Sequence, residues 1–250
     1  MEEIFQSYGF GLFPFETIYF DKVGAHFLED HYLRFKRTFW ILGVEFDLSF
    51  EKFKEAIERY IISAEKDYGG VRVAYVHDRL VVELKEIRYN KALFQKGFEL
   101  AIARTKKDSK NILNYIKTSN IGINLIEEKR ANKKGFDSCL FLNQDGFICE
   151  AAFANIFFRK DKVIYTPHVL CGLLPGIVRK KVIRISQELG YRVEKAYLKM
   201  EDVKGMDESF ITSSIAGVFP VLRIENIEFK QRNFAEYLLS MEKFNRPWVC

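Results

Sequence analysis

Short apolar runs closed by turn residues constrain this chain more than any other feature. The clearest case is Asn143-Gln144-Asp145-Gly146, which separates Cys139-Leu140-Phe141-Leu142 from Phe147-Ile148-Cys149-Glu150. An Asp-Gly pair supplies the positive φ that a tight hairpin requires, so two antiparallel strands are predicted here. Asn155–Phe158 and Val163–Thr166 flank Lys160-Asp161-Lys162 in the same way, and Val71–Val76 and Leu80–Leu84 flank His77-Asp78-Arg79. Glu16–Phe20 reads as a strand turning at Asp21-Lys22, and the apolar, hydroxyl-rich stretch Phe210–Val221 ends in another.

Helical spacing takes over between these runs. A helix is expected from Asp30, its N-cap, with Leu33, Arg37, Trp40 and Ile41 on one face and Gly43 as the stop. A second covers Phe50 to Lys66, with Phe53, Ile57 and Ile61 aligned. A third runs from Pro175 to Leu189, with Pro at its start and Gly190 at its end. Strands and helices in this order predict an α+β fold of two domains. Residues 1–88 form a small α/β domain, the polar stretch 89–96 a linker, and 97–250 a larger strand-rich domain.

Composition narrows the function classes. At 48% hydrophobic residues the chain can bury a sizeable core. Its net charge of +5 comes from interspersed signs, as in Glu127-Glu128-Lys129-Arg130, which argues against a nucleic-acid partner. Cys139, Cys149, Cys171 and Cys250 form no CxxC pair and have no His at ligand spacing, so no metal site is expected. Free thiols suit a reduced, cytoplasmic setting. Met1-Glu2-Glu3 opens no apolar signal core, and no apolar run approaches the ~18 residues of a membrane span.

Four segments could carry chemistry. Lys117, in Tyr115-Ile116-Lys117-Thr118-Ser119-Asn120, is expected at a strand end beside apolar residues, where partial dehydration favours the amine. Glu150 ends an apolar strand, and a carboxylate buried there needs a cation or hydrogen-bond donor. Leu173-Leu174-Pro175-Gly176-Ile177-Val178-Arg179 opens a helix whose unpaired N–H groups suit phosphate. Thr212-Ser213-Ser214 offers hydroxyls at the edge of an apolar stretch.

Together these segments resemble the class IV aminotransferase family, the pyridoxal-phosphate (PLP) fold type IV. Phe15-Glu16-Thr17-Ile18 is similar to its FET segment, and His31-Tyr32-Leu33-Arg34-Phe35 to H-x-x-R-[LF]. Lys117-Thr118-Ser119-Asn120 resembles K-T-x-N, and Glu150 to Phe157 resembles E-x-x-x-x-N-[IL]-F. Thr166-Pro167 and Leu174 to Arg179 resemble T-P and L-P-G-I-T-R, with Val178 in place of Thr. Ile121 stands where a Tyr often follows the lysine segment. The second hairpin lacks the S-R-G motif, leaving Arg72 and Arg79 as candidates for binding a substrate carboxylate.

The resemblance implies a D-amino acid aminotransferase-like fold, a homodimer and PLP held by Lys117 as a Schiff base. It assigns Glu150 to the pyridine nitrogen. Arg34, the backbone of Ile177 and Val178, and the Ser214 hydroxyl are assigned to the phosphate. Two activities are expected. The first is 4-amino-4-deoxychorismate lyase, giving 4-aminobenzoate and pyruvate through an external aldimine. The second is an amino-acid transaminase for branched-chain or D-amino acids with a 2-oxo acid acceptor.

Overall fold

The computed structural model describes residues 11–76 and 79–248. The acidic N-terminus, Gly9, His77, Asp78 and Cys250 lie outside the described residues. The chain divides into two compact units. One comprises residues 1–88 with 116–121, and the other 89–115 with 122–250.

In the first unit, β1 (Phe15–Asp21), β2 (Gly24–Ala25), β3 (Gly69–Val76) and β4 (Arg79–Lys85) form an antiparallel sheet of order β2-β1-β3-β4. Helices α1 (Leu28–Leu42) and α2 (Phe50–Ser63) pack on it. Side chains alternate along a strand, so Glu16 shares the face of Ile18 and Phe20, which belong to the unit's core.

The expected N-cap Asp30 lies inside the first turn of α1, where its charge complements the helix dipole. Phe27, with φ 56°, holds the cap position instead. The residues read as following helical spacing lie outward, with Leu33 and Trp40 56% and 80% exposed. Tyr32, Phe35 and Phe39 turn inward, since these rings pack with Phe46 and Phe53 at centroid distances of 4.7–6.0 Å. Helix α2 ends at Ser63, short of Lys66, and does bury Phe53 and Ile57.

The second unit holds one mixed sheet. It is built from β5 (Phe98–Ile102), β6 (Ser138–Leu142), β7 (Ile148–Ala151), β8 (Asn155–Lys160), β9 (Val163–Pro167), β10 (Arg192–Ala196), β11 (Glu208–Ser213) and β12 (Gly217–Ile224). Their order is β10-β9-β8-β11-β12-β5-β6-β7, with β13 (Ile227–Glu228) paired to β12. The β6–β7 turn forms as expected. Gly146 has φ 83°, and Asn143 Oδ1 accepts the N–H groups of Asp145 and Phe147 at 3.0 and 2.9 Å. Phe210–Val221 contains two paired strands, β11 and β12, rather than one.

The stretch expected as a linker, 89–96, belongs to this second unit. It carries α3 (Lys91–Lys96), and Phe94 and Tyr89 are buried against Phe219. Polar composition hides this packing because the two rings are the buried apolar groups of the segment, while Arg232 donating to Phe94 O and Gln95 O and Lys96 paired with Asp137 also hold it. Helices α4 (Gly122–Asn132), α5 (Ile177–Glu188) and α6 (Asn233–Ser240) complete the unit. Among the described residues, no helix is long and apolar enough to cross a membrane.

Gly97, just after α3, has φ +78°, and a Cβ added there would lie 2.5 Å from Leu222 Cγ. Gly97→Ala is expected to lower the unfolding free energy by about 1–3 kcal/mol through this overlap. An unchanged urea midpoint would show that the contact relaxes freely.

Candidate active site

The first unit assembles Lys117, Arg34, Glu16 and His31. No strand precedes Lys117; a 3-10 turn, Ile112–Tyr115, lies before it. The segment is instead pinned to the start of β1. Phe15 N–H donates to Lys117 O at 3.3 Å, Ser119 N–H donates to Phe13 O at 2.8 Å, and Thr118 bridges Pro14. This pairing sets the Lys117 Nζ over the Phe15 ring, 4.4 Å from its centroid. Arg72 approaches the same ring at 5.3 Å and pairs with Glu83 at 3.2 Å, whereas Arg79 is exposed at the start of β4.

His31 and Arg34 are three apart and so share a face of α1, the one turned to Glu16 on β1. Arg34 Nε donates to Glu16 Oε1 at 2.7 Å and Nη2 donates to Oε2 at 2.6 Å, a two-pronged pairing that fixes the guanidinium plane. His31 Nδ1 lies 2.7 Å from Glu16 Oε2. Both His31 and Glu16 are completely buried. Burial alone would raise the Glu16 pKa, but the charges of Arg34 and His31 and their hydrogen bonds overcome it and hold the carboxyl at about 2. Burial pushes the His31 imidazole below its ordinary range, Glu16 pulls it up, and the charges of Arg34 and Lys117 push it down further. A carboxylate can only accept, so His31 Nδ1 carries the proton that bonds to Glu16.

The second unit assembles Glu150, Lys107, Asn155 and the start of α5. Glu150 stands in β7 and is 7% exposed. Its Oε1 pairs with the Lys107 ammonium, and its Oε2 accepts from Leu174 N–H at 3.0 Å and Asn155 Nδ2 at 3.3 Å. Lys107 was not singled out from sequence, because it lies in a basic run 43 residues from its partner. Its place comes from the edge of β6, where Lys107 N–H donates to Leu142 O at 2.9 Å.

Asn155 also donates to Leu174 O at 2.8 Å. A Cβ at Gly176 would overlap Asn155 Oδ1, so a side chain there would have to displace Asn155 from its bonds to Glu150 and Leu174. Gly176 caps α5 without any side-chain bond, which leaves the first N–H groups of the helix, at Ile177 and Val178, without a capping side chain. Next to Asn155 in the β8–β11 register lies Thr212. Its hydroxyl is buried and has no hydrogen-bond partner among the described residues. Such an orphan costs about 1–3 kcal/mol unless a ligand satisfies it. Ser214 follows at the β11–β12 turn.

Arg179 is also buried, donating to Thr166 Oγ1 at 3.2 Å and Pro167 O at 2.9 Å. Burial pushes its guanidinium down to about 10, while Glu150 pulls the other way. Burial also pushes the thiols of Cys139 and Cys171 up to about 12 and about 11, which leaves neither as a nucleophile at neutral pH. Among the described residues no group of His, Cys, Asp and Glu could hold a metal ion.

The profile of the family described as Amino-transferase class IV matches residues 14–224. The chain belongs to this family. It is 34% identical over 123 residues to a Rickettsia bellii protein named as a candidate branched-chain-amino-acid aminotransferase, covering 48% of this chain and 42% of that one. Its matches to the Rickettsia proteins therefore span less than half of their length. It is 25% identical over 240 residues to the aminodeoxychorismate lyase of Bacillus subtilis, covering 89% of this chain and 80% of the lyase. A Legionella pneumophila crystal structure described as a candidate 4-amino-4-deoxychorismate lyase superposes with a TM-score of 0.85. It shares 25% identity and covers 93% of this chain and 91% of that one. A fold IV aminotransferase architecture accounts for both units, and it is an enzyme architecture.

The Glu16 cluster makes stability depend on pH. Its folded pKa of about 2 lies below the ordinary 4.5, so its contribution is present above pH 4.5 and is lost as pH falls towards 2. His31 has a folded pKa below its ordinary 6.5, so its contribution is lost in turn as pH falls below 6.5. Denaturant midpoints of the wild type are expected to fall through both windows, and Glu16→Gln to lack the lower one. Parallel wild-type and variant curves between pH 4.5 and 2 would contradict this assignment.

Proposed function

We propose that the chain is a PLP enzyme acting as 4-amino-4-deoxychorismate lyase. The observation that carries the cofactor reading is the fit of the residues present: a buried Thr212 hydroxyl without a partner among the described residues, paired in register with Asn155, which packs closely on Gly176 at a helix start. By the family resemblance, Lys117, Arg34, Glu150, Ile177, Val178 and Ser214 are the residues that would hold the cofactor. When bound, it supplies an aldehyde for amine exchange and a ring that accepts an electron pair.

This chain's residues do the rest. Glu16 orients Arg34, so that the guanidinium edge not taken by Glu16 serves a phosphate. Lys107, Asn155 and the Leu174 N–H hold the Glu150 carboxylate in one orientation, suited to a protonated ring nitrogen. The Lys117 amine takes the proton from the substrate carbon that bears nitrogen. The C–O bond to the enolpyruvyl group then breaks, its electron pair leaving with oxygen. Protonation of the released enol gives pyruvate, and loss of that proton leaves the ring aromatic as 4-aminobenzoate.

Near full-length coverage by the Bacillus subtilis lyase supports the lyase reading. Higher identity to the Rickettsia protein, across 48% of this chain, favours amino-acid transamination as the second reading. Purified protein is expected to release pyruvate from aminodeoxychorismate and to leave an amino acid with 2-oxoglutarate unchanged. Lys117→Ala is expected to lower turnover by roughly 10²–10⁴-fold and to abolish the visible absorbance that borohydride removes. Glutamate formation without pyruvate release would replace the lyase by the transaminase.

The partner expected is a second copy. Helix α4 buries Glu127 and Glu128 and exposes Ile123, Leu125 and Ile126 at 43–52%. Its carboxylates are satisfied inside: Glu127 accepts from Arg104 N–H at 2.9 Å and Thr105 Oγ1 at 2.7 Å, and Glu128 accepts from Ser138 Oγ at 2.9 Å. The outward apolar side suits an isologous contact. Light scattering should give twice the chain mass for the wild type and the chain mass for Ile126→Glu. A monomeric wild type would remove the dimer.

A further inference from the structure

We propose that Arg246, far outside the matched family segment, is a positioning residue that shapes the Ser213–Ala216 turn for the cofactor phosphate. The inference rests on the PLP reading above.

Arg246 is 1% exposed and lies on the C-terminal stretch after α6. Its guanidinium spans the turn: Nη2 donates to Ser214 O at 3.0 Å and Nε to Ile215 O at 3.1 Å, while Nη1 donates to Asn245 O at 2.7 Å. The stretch is clamped on both sides. Phe244 is fully buried, and Trp248 stacks on Tyr89 with centroids 5.7 Å apart. The approach is close enough that a Cβ on Gly217, which has φ +66°, would lie 2.9 Å from Phe244 O and 3.5 Å from Arg246 Cγ.

A trans peptide is planar, so its C=O and the following N–H point in opposite directions. Drawing the Ser214 and Ile215 carbonyls towards Arg246 turns the N–H groups of Ile215 and Ala216 the other way. The Ala216 N–H is taken by Ser213 Oγ at 3.0 Å, which closes the turn. The Ile215 N–H is thereby aimed away from the guanidinium. Two negative carbonyl ends face the cation, and the positive ends of the turn face the opposite side. That arrangement suits a phosphate and not a neutral group. Ser214 was assigned from sequence as the phosphate ligand of this turn; Arg246 is what orients its backbone.

The test compares pyridoxal phosphate with pyridoxal, which lacks the phosphate, on the full-length chain. Wild type is expected to prefer pyridoxal phosphate, and Ser214→Ala to lose part of that preference. Arg246→Gln is expected to weaken pyridoxal phosphate binding at least about tenfold, with pyridoxal affinity unchanged. Arg246→Lys keeps the charge but cannot span two carbonyls, so it should also lose preference. A measurement on the unaltered chain needs no variant to fold. Hydrogen exchange should slow together at residues 214–217 and 244–247 with pyridoxal phosphate, and not with pyridoxal. If wild type shows no preference for the phosphorylated form, the cofactor reading fails. If wild type and Ser214→Ala behave as expected while a folded Arg246 variant keeps the full preference, Arg246 has no such role. Exchange in the two segments that responds equally to both compounds overturns it as well.

Discussion

The buried Glu150 carboxylate is the constraint around which the second unit is arranged. A charged group at 7% exposure is tolerated only when donors surround it. Those donors come from three places in the chain: the edge of β6 through Lys107, the start of β8 through Asn155, and the approach to α5 through the Leu174 N–H. Asn155 then packs so closely on residue 176 that a side chain there would have to displace it. The carboxylate and the helix start are therefore linked through Asn155, which also pairs with Thr212 in the β8–β11 register.

The first unit solves the same problem with a different set. Glu16 meets two donors from one helix face, and the Arg34–Glu16 geometry spends one side of the guanidinium to orient the other. Neither unit relies on a metal or a disulfide among its described residues. Charged groups are placed by other charged groups within the protein, which is how a polar cluster becomes rigid enough to position reacting atoms.

Several candidate site residues stand out in the sequence because they sit in dense local patterns. Lys117, Glu150, Arg34 and the Gly176 helix start each fall in a short segment of distinctive residues. Lys107 and Arg246 do not. Each acts across more than thirty residues of chain, on Glu150 and on the Ser214–Ile215 carbonyls, and neither has neighbours that mark it. A lysine among lysines and an arginine near the C-terminus look like surface residues until the fold buries them.

The amino-acid order by itself determined the hairpins at Asp145-Gly146 and Asp161, the positions of α2 and α5, and the α+β class. Turn chemistry and periodicity are local, so nearby residues suffice to specify them. Tertiary structure alone decided which face of α1 turns inward, that 89–96 joins the larger unit, and that α4 hides its carboxylates and shows its isoleucines. In each of these the outcome depends on which distant groups arrive to pack or to donate hydrogen bonds. Contacts between segments far apart in the chain leave no periodic trace in either segment.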